Sequence, residues 1–198
     1  MQPQEERETL VRRIIALEQE MFEGISTFER SPCQDRLKTF RLMRWMTHSV
    51  LPTDILLSYL DDLQLAQDEG RNLMTEKYAR IDDILPREAA SKAAIDRIVV
   101  VEDAWMTAVR QDFPRSFPRS GEGFHAYIAS ELETFSPRTL AMVEDFVETA
   151  RAQGRNLVRE RYENLFRRLG YASLTAFEET VRKGALSSRE AARARQAD

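Results

Sequence analysis

Apolar residues recur along this chain with the period of a helix. Leu10, Val11, Ile14, Ile15, Met21 and Phe22 fall on one side of a segment from about Glu5 to Gly24, at the spacing of an amphipathic helix. A loop through "STFERSPCQD" follows, then a short helix from about Arg36 to Ser49. Thr53 predicts the N-cap of a long third helix, Asp54 to Asp83. Its apolar stripe is Leu56, Tyr59, Leu60, Leu63, Ala66, Gly70, Leu73, Met74 and Ile81. The pattern then starts again. Ala89 to Asp112 and Gly123 to Thr134 read as helices, and Ser136-Pro137 places an N-cap before a Pro at the first helical position of another long helix, ending near Leu169. Tyr171 to Arg182 adds one short helix. Residues 184–198, ending in "SSREAARARQAD", have little to bury and are expected to be disordered.

The second pass through the pattern is a repetition of the first. "EGRNLMTEKYARI" (Glu69 to Ile81) returns as "QGRNLVRERYENL" (Gln153 to Leu165), an offset of 84 residues from Gly70 to Gly154. Carried backwards without a gap, that offset pairs Arg13 with Arg97, Ile14 with Ile98, Glu18 with Glu102, Phe40 with Phe124 and Leu56 with Leu140. Carried forwards, it pairs Glu76 with Glu160 and Tyr78 with Tyr162. The expected architecture is an all-α, single-domain bundle of about six main helices, built from two pseudo-symmetric three-helix halves at about 8–84 and 92–168. Two copies of such a period are too few for a solenoid.

Composition agrees. Seven Gly and seven Pro in 198 residues are few for the many turns of an all-β protein, and 42% hydrophobic residues suffice for a core. A formal net charge of −4 lacks the clustered positive charge expected of a nucleic-acid binder. No apolar run is long enough to span a bilayer, and "MQPQEERETL" carries no secretory pattern. One cysteine rules out an internal disulfide. These features predict a cytoplasmic protein with neither nucleic-acid nor membrane partners; they leave its oligomeric state open.

Helical phase, about 100° per residue, singles out three carboxylates. Glu18 falls within the stripe of Val11, Ile14, Ile15, Met21 and Phe22, and its counterpart Glu102 within that of Ile95, Ile98, Val99, Trp105 and Met106. Glu131 lies beside Phe124, Tyr127 and Ile128, where the first half has Thr47. An unpaired carboxylate on an apolar face costs several kcal/mol, so all three need an explanation.

Three explanations stand. The carboxylates form buried ion pairs with Arg71, Arg155 and Arg44, with hydrogen bonds from Tyr78 and Tyr162. They ligate a divalent metal, as facing Glu residues do in helical bundles, although the single Glu-x-x-His, Glu122 to His125, is interrupted by Gly123. Or they act as a base or seat a cationic amine. Because Glu131 has no carboxylate counterpart, the expectation is one site for an asymmetric small molecule. Glu18, Glu102 and Glu131 bound it, with Arg71, Tyr78, Arg155 and Tyr162 around them. Cys33 and His48, a possible nucleophile and base, approach from the loop side. The competing class is a non-catalytic structural or interaction module whose Glu–Arg network only specifies packing.

The repeated motif has its own expected role. Asn72 and Glu76 read as an i,i+4 pair on the outer face. Gly70 and Gly154 lie on the apolar stripe, which predicts a close helix crossing with Arg71 and Arg155 facing inward at its edges. The tandem "FPRSFPRS" (Phe113 to Ser120) reads either as an exposed linker or as a lid presenting Arg115 and Arg119 to an anion. Phosphate loops, nucleophile elbows, paired zinc cysteines and dinucleotide fingerprints are absent.

"SPCQD", "FRLMR", "SYLDDLQLAQDEGRNLMTEKYARI" and "SELETFSPRTL" resemble an uncharacterised prokaryotic family, the domain of unknown function numbered 4125. The resemblance covers most of residues 8–175, with Glu18, Glu20, Cys33, Gln34, Arg44, Arg71, Asn72, Glu76 and Tyr78 matching the family pattern. It implies weight at those positions and no particular chemistry.

Overall fold

The computed structural model describes residues 3–25, 36–86, 89–118 and 123–194, the last ten of these by backbone alone. Among them are nine α-helices and no strand: α1 (Pro3–Glu23), α2 (Leu37–His48), α3 (Thr53–Asp68), α4 (Leu73–Ile81), α5 (Ala89–Asp112), α6 (Phe124–Leu132), α7 (Pro137–Ala152), α8 (Leu157–Arg168) and α9 (Leu174–Ala194). None of the helices is long and apolar enough to cross a membrane.

Beyond the six main helices and the expected short one, which is α9, two more arise because each long helix is broken at its Gly-Arg-Asn-Leu. Gly70 and Gly154 both have φ of +69°, the left-handed conformation that closes a helix C-terminus and favours Gly. The Arg71 N–H donates to the Ala66 carbonyl at 2.7 Å and the Arg155 N–H to the Ala150 carbonyl at 2.9 Å. The next helix then starts on an asparagine cap: Asn72 accepts from the Thr75 N–H at 2.9 Å, and Asn156 from the Arg159 N–H at 2.8 Å. The same side-chain amides donate to the carbonyls of Met21 (2.7 Å) and Trp105 (3.0 Å), pinning one break to α1 and the other to α5.

This corrects the crossing expectation. A Cβ at Gly70 or Gly154 would meet nothing within 4 Å, so backbone conformation and not a close approach requires glycine there. Asn72 does not pair with Glu76. Arg71 does instead, through two bonds of 2.9 Å, and Arg155 repeats the arrangement on Glu160. Both arginines lie at the surface, 49% and 39% exposed, rather than facing inward.

Elsewhere the pattern reads through well. Ser136 caps α7 by accepting from the Thr139 N–H, with Pro137 in the first turn. Thr53 is the first residue of α3 rather than its cap, a position held by Pro52. The backbone of α9 continues to Ala194, beyond Arg182, where the short helix was expected to end.

Helix α1 packs on α2, α3 and α4, while α5 packs on α6, α7 and α8; α3 meets α7, α4 meets α6 and α2 meets α8, and α9 rests on α8. The main core collects Val11, Ile14, Leu56, Leu63, Leu73, Ile98, Val99, Val147 and Leu157. A smaller cluster of Met106, Val109, Phe113, Val158, Phe166 and Leu174 sits beneath α9.

Candidate functional site

Among the described residues Glu18 is the only carboxylate to reach 0% exposure, and the elements around α1 converge on it. From α2, Arg44 donates Nε to Glu18 Oε2 at 2.9 Å and a terminal nitrogen to Oε1. His48, one turn further along α2, places Nε2 at 3.0 Å from the same oxygen. From α3, the Tyr59 hydroxyl donates to it at 2.9 Å.

The guanidinium of Arg44 is shared. Its other edge bonds Glu131 on α6, with one terminal nitrogen at 3.0 Å from Oε2. The Lys77 ammonium, from α4, also donates to that Oε2, and it lies 3.7 Å from the centroid of the Tyr127 ring, within cation–π range. Glu18, Arg44, Glu131 and Lys77 are all buried. Two carboxylates and two cations balance, which is the condition under which buried charge is tolerated.

The proton affinities follow from this pairing. Burial pushes the Glu18 carboxyl up, but Arg44 and then His48 overcome it and hold the group at about 2, against an ordinary 4.5. Burial likewise raises Glu131, and Arg44 and Lys77 pull it well below the carboxylate range. Burial disfavours the Lys77 ammonium, yet Glu131 turns the net shift upward. Burial and the Glu18 charge together push the Tyr59 hydroxyl well up. These shifts favour the charged forms of Glu18, Glu131 and Lys77 and the neutral form of Tyr59. Because His48 Nε2 faces the carboxylate, its Nδ1 is buried with no hydrogen-bond partner among the described residues.

Glu102, the counterpart of Glu18, is held differently. Arg161 of α8 clamps it with two bonds of 2.6 Å, the planar fork geometry that suits a carboxylate. Glu102, Glu131 and Arg161 line one small cavity of about 50 Å³ with Thr47, Ile128 and Phe135. All three sequence-predicted carboxylates therefore lie in one neighbourhood, but each is paired with a cation. Of the expected partners only Arg44 serves; Arg161 and Lys77 take the other places, whereas Arg71 and Arg155 stay outside.

A larger cavity, about 310 Å³, borders the cluster. Its exposed rim includes Arg36, Thr39, Met43 and Tyr127. Phe22, Phe40 and Met74 give apolar walls, Tyr78 lies against Phe22, and Arg44 and Lys77 come from the buried charge cluster. Tyr162 does not share this cavity; it packs edge-on to Phe117 at 4.6 Å. Cys33, Gln34, Arg119 and Glu122 lie outside the described residues. His125 is exposed, 3.1 Å from Asp103. In the described part of the tandem, the Arg115 and Ser116 N–H groups donate to Glu178 of α9 at 3.0 and 2.7 Å.

The donor set does not fit a metal. Among the described residues no three His, Cys, Asp or Glu side chains are grouped to hold one. A divalent ion at Glu18 or Glu131 would also have to displace Arg44 or Lys77.

Sequence reasoning missed Lys77, Tyr59 and Arg161. A signal existed for two of them, since Lys77 and Arg161 are both basic and stand at equivalent repeat positions next to Tyr78 and Tyr162. Tyr59 was counted only as part of the apolar stripe.

The fold and site define an all-helical protein with a buried, charge-balanced cluster beside an open cavity. The model of the family described as "Protein of unknown function (DUF4125)" matches residues 8–179, and the chain belongs to that family. No curated protein and no solved structure matches it.

Proposed function

We propose that this is a cytoplasmic small-molecule-binding protein whose site is the cavity between α1, α2, α4 and α6. One observation carries the reading: a cavity of about 310 Å³ with apolar walls borders two buried cations and has a third, Arg36, at its rim. That combination suits an amphipathic ligand with one negatively charged end. Glu18 and Glu131 act here as the fixed counter-charges that keep Arg44 and Lys77 ionised and rigid. Such firmly ionised carboxylates are poor general bases at neutral pH, so binding, and not acid–base chemistry by these groups, is the role we assign. Nucleic acid and membrane have no part in the reading.

The same reading includes the duplication. Equivalent hydrogen bonds at the two motifs, and the exchange in which α4 meets α6 while α8 meets α2, support two pseudo-symmetric halves. Divergence at Arg44 and His48 in one half and at Glu131 in the other then gave the pair a single site, shared between them.

A second reading, a packing module without a ligand, is favoured by the full charge balance of the cluster. Anilinonaphthalene sulfonate, an anionic aromatic fluorophore, separates the two. Titrated into the folded protein at neutral pH, it should bind saturably with enhanced fluorescence. Met43→Trp, which obstructs the rim without touching the cluster, should abolish that signal at unchanged melting temperature. Absence of binding, or binding indifferent to Met43→Trp, selects the packing module.

A further inference from the structure

A second recess lies on the opposite face of α2. It is an open groove of about 550 Å³ between α1 and α2, with Arg168 from the end of α8 in its lining. Ile15, Ala16 and Leu42 line it together with Arg12, Lys38, Arg41 and Arg168, against one carboxylate, Glu20. A local excess of cations is unexpected on a chain whose net charge is −4.

The cations are also unusually free. Surface arginines elsewhere are mostly ion-paired, as Arg97 is with Glu144, Arg151 with Glu148 and Arg159 with Asp112. Among the described residues, Arg12, Lys38 and Arg41 form no ion pair. Arg41 is instead oriented by Gln19, whose side-chain oxygen accepts from its Nε, and this leaves both terminal nitrogens available. Arg12 reaches only the Glu8 carbonyl and the Thr9 hydroxyl, each at 3.3 Å. Arg168 lies flat over Trp45, its guanidinium carbon 4.1 Å from the ring centroid, with Glu8 at 3.6 Å. Stacking on an aromatic face holds a guanidinium in place while its edge stays open to a ligand. Glu20 accepts only from Gln67, at 3.5 Å.

Like charges converging on one groove repel, and a bound anion relieves that repulsion. A single carboxylate would occupy one guanidinium and leave the others unanswered. A chain of phosphates carries several charges and presents oxygens to several forks at once, the geometry at which arginine excels. An extended nucleic acid does not fit, because the basic surface is confined to one groove with Glu8, Glu20 and Glu23 around it.

We propose that the groove between α1 and α2 is a binding site for a small polyphosphate-bearing molecule, its di- or triphosphate group held by Arg12, Lys38, Arg41 and Arg168. The site is separate from the cavity beside Arg44 and Lys77, so the two assignments stand or fall independently.

Calorimetric titration of the full chain tests this, with inorganic tripolyphosphate, inorganic monophosphate and phosphatidylserine vesicles as probes. Tripolyphosphate should bind at one site per chain, more tightly than monophosphate, and more weakly as salt is raised because the contacts are solvent-screened. Arg12→Ala with Arg41→Ala should weaken binding by about tenfold or more, the loss of two charge-assisted contacts. Arg138→Ala with Arg151→Ala, which removes exposed arginines elsewhere, should leave it unchanged. All four side chains are exposed, and equal melting temperatures would verify that the variants fold. No saturable tripolyphosphate binding at low salt overturns the proposal. So does equal affinity in the Arg12/Arg41 variant, or binding to vesicles without binding to free tripolyphosphate.

Discussion

Glu18 and Glu102 stand 84 residues apart, the offset that also relates the two Gly-Arg-Asn-Leu motifs, each on the apolar stripe of a long helix, yet they live in different surroundings. Glu18 is enclosed by Arg44, His48 and Tyr59, and through Arg44 it is tied to Glu131 and Lys77. Glu102 meets Arg161 alone, and Arg161 retains 14% exposure. A buried carboxylate at one helical phase can therefore be either a node in a network or half of an ordinary ion pair. The difference comes from the neighbouring helix. Position 44 is Arg where its counterpart is Ile128, position 48 is His where its counterpart is Leu132, and Thr47 stands opposite Glu131.

The comparison can be broken hardest at Arg44. Arg44→Met removes the cation that two buried carboxylates share, leaving Glu18 with His48 and Tyr59 and Glu131 with Lys77, and should cost about 5 kcal/mol, if the chain folds at all. Urea denaturation measures it, and a cost near that of a surface substitution would show that the network is dispensable.

Next come the two glutamates themselves. Glu18→Gln leaves buried cations in excess and should cost about 3 kcal/mol. Glu102→Gln leaves only Arg161, which reaches water, and should cost roughly half as much by the same reasoning. Equal costs would mean the two environments are energetically alike.

Acid should act on the same asymmetry. Because the Glu18 carboxyl is lowered in the folded state, its contribution is fully present above 4.5 and is lost as pH falls towards about 2. Glu131 shifts in the same direction. The urea midpoint should fall across that window, and Glu18→Gln should flatten the fall more than Glu102→Gln does, since the latter leaves the network whole.

Smaller and equal effects are expected where the halves agree. Gly70→Ala and Gly154→Ala each place a side chain at φ +69° and should cost about 1–2 kcal/mol through backbone strain alone. Thermal melts that differ clearly between the two would argue against equivalent breaks. Arg71→Ala and Arg155→Ala, which remove exposed pairs, should each change stability by less than about 1 kcal/mol.

The fold was legible wherever local chemistry decides it. Ser136-Pro137 announced the start of α7, and the span from Ala89 to Asp112, expected from its match to the first helix, is that of α5. The break at Gly70 was misread although both of its signals, a C-terminal Gly and a capping Asn, are present. The apolar phase of α3 runs on in register into α4, and periodicity outweighed the caps. At the site, phase alone found Glu18, Glu102 and Glu131, because a charged group in an apolar stripe is conspicuous. It could not find Lys77, since a long flexible side chain whose stem lies along the helix surface can carry its charge to a place its Cα does not face.

What the sequence determined by itself, then, is which positions are helical, which carboxylates turn inward and which motif is repeated. These depend on the rotation and capping of single helices, set by residues within a few positions of one another. Which cation each carboxylate receives was decided only by tertiary structure. Arg44 and Glu131 are 87 residues apart, and Arg161 and Glu102 are 59 apart. Such pairs form only once α2, α4, α6 and α8 have packed around the two long helices. The neutrality that lets Glu18 stay ionised at full burial is a property of that assembly, because no single helix carries both of its charges.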